Sequence, residues 1–447
     1  MKPPVAIVGA GLAGLTAANY LRRHGVPFVL YEAGPKIAGL ATTFTDRDGF
    51  SYDFGAHFVT NRLAAALGVG ARCRVVRHYG ETVLLGGRSY GYPFGLLRIP
   101  RFFASALATR ASRSTCPPNG SAAEWFRARY GARLADEVAI PLTEAWSGAP
   151  ADQLARSVGD SLPNSIAHTI LLKTASRVTR RAVACGYSRE VAETPNVWHV
   201  YPVGGVGLLC QRLATGIEDA IQLESPVEAI TVDSNRAVTV RAKGREQEVS
   251  AVVSTAPRHV LAKLVRGSDA LQPLARFRYR PMVFVNMRFR GRQLLPDVVT
   301  WTPESQYPFF RLTEVPLSMP WLAPEGKTLI TADIGCELGD PFWTMADDQL
   351  GETCLQAMTQ IIPDAAQRYL GCQVLRTPIA YPVFLREYEP ERQRFEAFSG
   401  VDNLYSVGRN GEFAHIFMED VYWRTLRRMR ELVAGLDSRR AAPAPRA

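Results

Sequence analysis

Gly9, Gly11 and Gly14 stand in the spacing GxGxxG near the start of the chain, and Glu32 follows 18 residues after Gly14. Gly9 permits a tight turn, Gly11 lets a diphosphate approach the backbone, and Gly14 lets the next helix pack closely on a strand. The N-terminus of that helix offers amide donors to phosphate oxygens. Glu32 is placed to accept hydrogen bonds from ribose hydroxyls. An acid at this point disfavours a 2′-phosphate, so FAD or NAD is expected rather than NADP. The chain has only one such motif, so a second nucleotide domain serving as reductase is not expected. None of the seven cysteines forms a CxxC and no two histidines stand at HxxxH spacing, so neither a dithiol centre nor a metal site is expected.

The elements that must position these residues are readable in the same stretch. Val5–Val8 is a continuous apolar run, as in a buried parallel strand. From Thr16 to His24 the pattern is helical, with Ala17, Ala18 and Leu21 on one face and Gly25 closing it. Phe28–Tyr31 supplies the second strand, with Glu32 at its end, which completes one βαβ unit. Helical patterns then dominate from Pro93 to Val197, broken near Ser114–Ser121 and Gly148–Pro150. Strand patterns rich in β-branched residues return at Val227–Ile230, Ala237–Ala242 and Ser250–Thr255, and further strands at Met282–Phe289 and Thr328–Ile334. Asp347–Ile362 reads as an amphipathic helix, and the last ordered element runs from Met418 to about Leu436. The tail from Ser438 to Ala447 carries no large apolar side chain and is expected to be disordered.

Composition narrows the class. The 447 residues are 47% apolar and 21% charged, enough to bury a real core, which excludes a disordered chain or a disulfide scaffold. An odd, scattered set of seven cysteines reads as reduced thiols in the cytoplasm. No apolar run reaches the ~18 residues of a membrane span, so no integral segment is expected. The net charge is +10, and only six of the 52 basic residues are Lys. These arginines are dispersed along the chain, without a nucleic-acid-binding motif, so nucleic acid is not an expected partner. From Tyr92 to Arg113, Phe94, Leu96, Leu97, Phe102 and Phe103 mix with Arg98, Arg101 and Arg110. An ordinary helix burying one apolar face is the simpler expectation; peripheral membrane contact is the alternative.

The segments Glu32–Thr43 and Tyr52–Phe58 resemble the flavin-binding stretch of the amine oxidase and protoporphyrinogen oxidase superfamily. Ala38-Gly39-Leu40 stands where that superfamily has a Gly-Gly pair and often Arg. Further blocks are similar in kind: Gly87–Pro93, Trp125–Gly131, Tyr201–Gly205 and Val252–Pro257. Pro141–Gly148 resembles an element ending in Trp-Gly in UDP-galactopyranose mutases and their oxidase-like relatives, with Ser147 intruding here. Tyr381-Pro-Val and Tyr388 look like substrate-side tyrosines, and Tyr405–Gly411 with Phe417–Asp420 like the second flavin motif. There the helix beginning near Met418 would direct its N-terminus at charge developing on the flavin, worth up to ~2 kcal/mol.

This resemblance implies a Rossmann-type α/β FAD-binding domain in discontinuous segments, 1–90, 201–272 and 402–436. Inserted in it would be a helical segment, 91–200, and an antiparallel-sheet substrate domain, 273–401, with 437–447 as tail. It implies non-covalent FAD, since no cysteine lies between Gly408 and Asp420. The residues expected to hold FAD are Gly9, Gly11, Leu12, Ala13, Gly14, Glu32, Ala33, Gly39, Leu40, Ala41, Gly55, Ala56, His57, Val227, Thr255, Gly408, Arg409, Phe417 and Met418. Arg409 is expected to face the flavin phosphate. His57, Trp146 and Tyr388 are the candidate catalytic residues; His57 is equally readable as a loop brace, and Trp146 and Tyr388 as core. The implied function is hydride transfer to flavin N5 from a C–N or C–C bond of a small biosynthetic intermediate. The alternative is a redox-neutral sugar-nucleotide mutase using reduced N5 as nucleophile.

Overall fold

The structure, a computed structural model, describes residues 3–112, 115–161 and 166–441. Its first layer is a five-stranded parallel sheet in the order Ile221–Gln222, Phe28–Tyr31, Val5–Val8, Ala251–Ser254, Leu404–Ser406. Every residue of Val5–Val8 and Ala251–Ser254 is buried, which is why these strands read as unbroken apolar runs. The helix after the glycine turn spans Leu12–Arg23 and packs against the C-terminal helix Met418–Ala441. It starts four residues before the pattern from Thr16, because Gly11 is extended and serves as its N-cap. A four-stranded sheet built from Val227–Asp233, Arg236–Ala242, Arg245–Glu248 and Val265–Arg266 is appended to this layer.

A second, seven-stranded sheet has the order Tyr369–Pro382, Tyr279–Arg290, Lys327–Gly335, Arg311–Thr313, Val299–Trp301, Glu81–Leu85, Arg88–Gly91. It is antiparallel except where Val299–Trp301 runs parallel to Glu81–Leu85. Residues 81–91 therefore belong to this sheet and not to the parallel-sheet layer, contrary to the expected boundary at 90. The pairing of Val299 with Glu81 joins strands more than two hundred residues apart, and local pattern carries no trace of such a partner.

The helical insertion includes Pro100–Ala111, Ala122–Tyr130, Ile140–Ser147 and Ile166–Thr179. A reciprocal Ser121–Glu124 capping box starts the second of these. Gly148 stops the third in the left-handed conformation, φ 70°, where a Cβ would lie 2.3 Å from Arg280 Nη1. The C-terminal helix also departs from expectation. It continues through Ala441, past the predicted end at Leu436, because polar residues extend a helix already anchored by buried Met429 and Leu432. The remainder of the predicted tail, 442–447, lies outside the described residues.

Candidate active site

The cradle is built at the carboxyl ends of the parallel strands. Gly9 leaves its strand at φ 98°, and a Cβ there would fall 2.1 Å from Thr255 Oγ1, whose hydroxyl donates to Val8 O at 2.8 Å. A Cβ on Gly14 would lie 1.8 Å from Gly9 O, so helix and turn meet only through glycine. Around Gly11 the nearest protein atom to such a Cβ is Ala38 O at 4.0 Å. That space above the turn suits a diphosphate, and only a glycine leaves it open.

The loop Ala38–Ala41 lies over this turn, with Ala38 N–H donating to Ala10 O at 2.9 Å. Ala38 and Gly39 both have positive φ, 88° and 54°. Ala38 thus holds a conformation that glycine adopts freely, at a cost of about 1–2 kcal/mol. The Glu32 carboxylate accepts Ala10 N–H at 2.7 Å and Gly34 N–H at 2.8 Å. Ser225 N–H donates to Glu32 O, which brings the start of the strand at Val227 alongside.

From the far end of the chain, Gly408 arrives at φ 82°, close enough that a Cβ would meet Ala13 Cβ at 2.8 Å. Glu419 and Asp420, both 1% exposed, open the final helix. Glu419 accepts Arg62 Nε at 2.6 Å, and Asp420 accepts Ser188 Oγ at 2.6 Å and the Arg189 and Glu190 amides. These acids position Phe417 and Met418 by tying the helix start to segment 188–190. The glycine turn, Glu32, the 38–41 loop and Gly408 thus converge on one cleft, and its donors and open space fit a dinucleotide.

Next to this cleft, the loop Gly55-Ala56-His57 abuts Arg311: a Cβ on Gly55 would lie 3.4 Å from Arg311 Nη2. His57 Nδ1 stands 3.5 Å from Asp53 Oδ2. Asp53 is fixed by the hydroxyls of Tyr201, at 2.9 Å, and Thr43, at 2.6 Å. Arg311 pairs with the fully buried Asp333, and the pair holds the Arg311 guanidinium above its ordinary value despite burial. Arg311 also lies over the Trp301 ring at 5.4 Å, and Trp301 Nε1 donates to Glu81.

Aromatic rings close the far side. Trp146, Tyr381 and His415 are mutual neighbours, with centroids 5.6, 5.3 and 5.2 Å apart. Phe417 stacks on Tyr187 at 4.4 Å. Burial holds the His415 imidazole down to about 3, assisted by Arg409, Arg311 and Arg189, so it is neutral at ordinary pH. Arg409 donates to Ile416 O at 3.0 Å and lies over the Tyr381 ring at 5.6 Å. Burial lowers it. No carboxylate pairs with it among the described residues, so an anion here would be attracted.

Two expectations need correction. Tyr388 is not in this site: it is 3% exposed, stacks on Phe277 at 4.6 Å and donates its hydroxyl to Arg276 O. Its apolar ring fills a core lined by Phe413, with its polar tip already satisfied. Arg409 turns its guanidinium toward Tyr381 and His415, not toward the glycine turn expected to hold phosphate, because its Nε is taken by Ile416 O. Trp146 lies against Tyr381 and His415, and the loop that carries His57 abuts Arg311. The sequence reading missed His415, Arg311, Asp333 and Tyr187. His415, two residues before Phe417, carried a local signal. The Arg311–Asp333 pair exists only through cross-strand register.

Among solved structures, the fold is similar to reduced UDP-galactopyranose mutase, with a TM-score of 0.78 at 18% identity over 97% of this chain and 96% of that one. It is also similar to putrescine oxidase bound to putrescine, with a TM-score of 0.67 at 16% identity over 97% and 99%. An uncharacterised protein of Mycobacterium tuberculosis is 27% identical over 245 residues, 47% of this chain and 45% of that protein. The chain thus spans less than half the length of that curated relative. No helix among the described residues is long and apolar enough to cross a membrane. The family profile for flavin containing amine oxidoreductases matches residues 12–422, from the glycine turn to the start of the final helix. The chain belongs to that family.

Proposed function

We propose that this protein is an oxidoreductase that binds FAD non-covalently and removes a hydride from a C–N or C–C bond of a small biosynthetic intermediate in the cytoplasm. The observation that carries this reading is the meeting of two distant segments, the glycine turn and Gly408, beside an enclosed aromatic and arginine-lined site. Gly9, Gly11 and Gly14 with Leu12 and Ala13 would hold the diphosphate, and Glu32 the ribose. Gly39, Leu40, Ala41, Val227 and Thr255 would flank them, with Gly55, Ala56, Phe417 and Met418 toward the ring. When bound, the flavin supplies the hydride acceptor. The chain's own part is to orient the substrate and exclude water. Trp146, Tyr381 and Phe417 form an apolar wall, and the His57–Asp53 pair can hold a proton near the reacting bond. Neutral His415 offers a hydrogen bond without adding a second positive charge beside Arg409.

Arg311 and Arg409 together favour a second reading, a redox-neutral mutase whose arginines grip the diphosphate of a sugar nucleotide. Asp333 already compensates Arg311, which weighs toward oxidation. The test begins with the purified protein, which should be yellow and release intact FAD on acid precipitation. Anaerobic bleaching by an amine or an alkene-forming precursor supports the oxidoreductase. Turnover of a sugar nucleotide only after dithionite reduction, without net redox change, replaces it with the mutase. A colourless protein that cannot be reconstituted with FAD overturns both.

A further inference from the structure

Two helices of the insertion turn apolar residues outward. In Pro100–Ala111, Phe102 is fully buried, whereas Phe103 and Leu107 are 51% and 52% exposed, and Ala104, Ala108 and Ala111 share their open face. The helix thus buries one apolar face through Phe102, as the simpler sequence expectation had it, and displays a second one. Just before it, Tyr92, Phe94 and Leu97 are also exposed. Ile166–Thr179 repeats the pattern, with Ile170, Leu171 and Val178 exposed, the last at 78%. The two segments are neighbours: Lys173 of the second helix lies over the Tyr79 ring at 5.8 Å, the Tyr79 hydroxyl donates to Glu81, and Tyr92 N–H donates to Glu81 O at 2.8 Å.

Charge on these segments has one sign. Residues 92–123 and 161–189 contain no Asp or Glu, but they hold Arg98, Arg101, Arg110, Lys173, Arg177, Arg180 and Arg181 among others. Arg101 is neutralised by Glu137. Arg98 and Arg110 are exposed and make no ion pair among the described residues. Isolated apolar side chains on a surface require no explanation, but eight large ones on two adjoining, acid-free segments do. A second copy of the same face would bring like charges together, which disfavours self-association through it.

We propose that this face, helices Pro100–Ala111 and Ile166–Thr179 with the 92–98 segment, docks on an anionic lipid bilayer surface. Phe94, Leu97, Phe103, Leu107, Ile170 and Val178 enter the acyl boundary, and the arginines stay at headgroup level. Behind the face, Tyr92 approaches Glu81, which is bonded to Tyr79 and to Trp301 of the arginine-lined site. The docked face thus lies on the same side as the wall of that site. The inference does not rest on the reaction assigned above.

The test is sedimentation of the full chain with vesicles of phosphatidylcholine alone or doped with phosphatidylglycerol. Binding is expected to the doped vesicles, weakening as salt is raised. Phe103→Ser and Leu107→Ser should each reduce partitioning about fivefold to tenfold, in line with the half-exposed area each would bury. Arg98→Ala and Arg110→Ala should each cost about fivefold on doped vesicles. Far-UV circular dichroism and flavin content of each variant establish that it is folded. Failure of the parent to sediment with doped vesicles overturns the proposal, as does equal sedimentation of folded Ser variants. A concentration-dependent dimer dissociated by the same changes overturns it in favour of a contact between copies.

Discussion

Replacing Glu32 by Ala perturbs the cofactor cleft and the apoprotein together, and the two effects can be measured separately. Judged from the motif, the loss is one charge-assisted hydrogen bond to ribose, about 1.5–3 kcal/mol of FAD affinity with little effect on the fold. In the structure the same carboxylate accepts Ala10 N–H at 2.7 Å and Gly34 N–H at 2.8 Å. Truncation strands both donors in a half-buried turn that water reaches only in part. The apoprotein should lose about 2 kcal/mol, near the lower bound for hydrogen bonds to a charged group. FAD binding should weaken in addition, by roughly tenfold to a hundredfold. Denaturant unfolding of the apoprotein reads the first effect, and fluorescence titration with FAD the second. Glu32→Gln retains one carbonyl acceptor and should recover about half of the stability loss. If apo Glu32→Ala unfolds at the parental midpoint, the two amide bonds contribute nothing. If its FAD affinity is parental, Glu32 is not the ribose ligand.

The remaining predictions concern two histidines. His57→Ala should retain FAD but reduce flavin at least about tenfold more slowly under substrate, since acid–base help amounts to ~10²–10⁴ and orientation to less; stopped-flow bleaching at the parental rate would make the residue a loop brace. Burial holds His199, 2% exposed, down to about 3, well below its ordinary 6.5. The unfolded chain therefore takes up the proton first. The resulting stability is complete above pH 6.5 and falls by about 1.4 kcal/mol per pH unit as pH drops toward 3. Denaturant titrations at pH 7 and pH 5 should show His199→Phe losing about 2 kcal/mol less than the parent over that interval; identical pH dependence would show that His199 is not buried neutral.

The glycine turn and the acid at the end of the second strand were legible in the sequence alone. Gly9, Gly11, Gly14 and Glu32 act within one contiguous βαβ unit, so their spacing along the chain is also their spacing in the cleft, and each glycine answers to a steric demand of the backbone. The buried strands Val5–Val8 and Ala251–Ser254 were legible for a related reason: two covered faces require continuous apolar runs. What only the tertiary structure decided depends on pairings between distant segments. Arg311 meets Asp333 through strand register, and the hairpin of Glu81–Leu85 and Arg88–Gly91 joins a sheet whose remaining strands begin almost two hundred residues later. Tyr381 and Tyr388, seven residues apart and alike in composition, separate because one ends a long strand at the aromatic cluster and the other fills a phenylalanine core. The direction of Pro100–Ala111 was undecided for the same physical cause. A helix with apolar residues on two faces buries whichever face the neighbouring helices cover, and here they cover Phe102 and leave Phe103 and Leu107 to the outside.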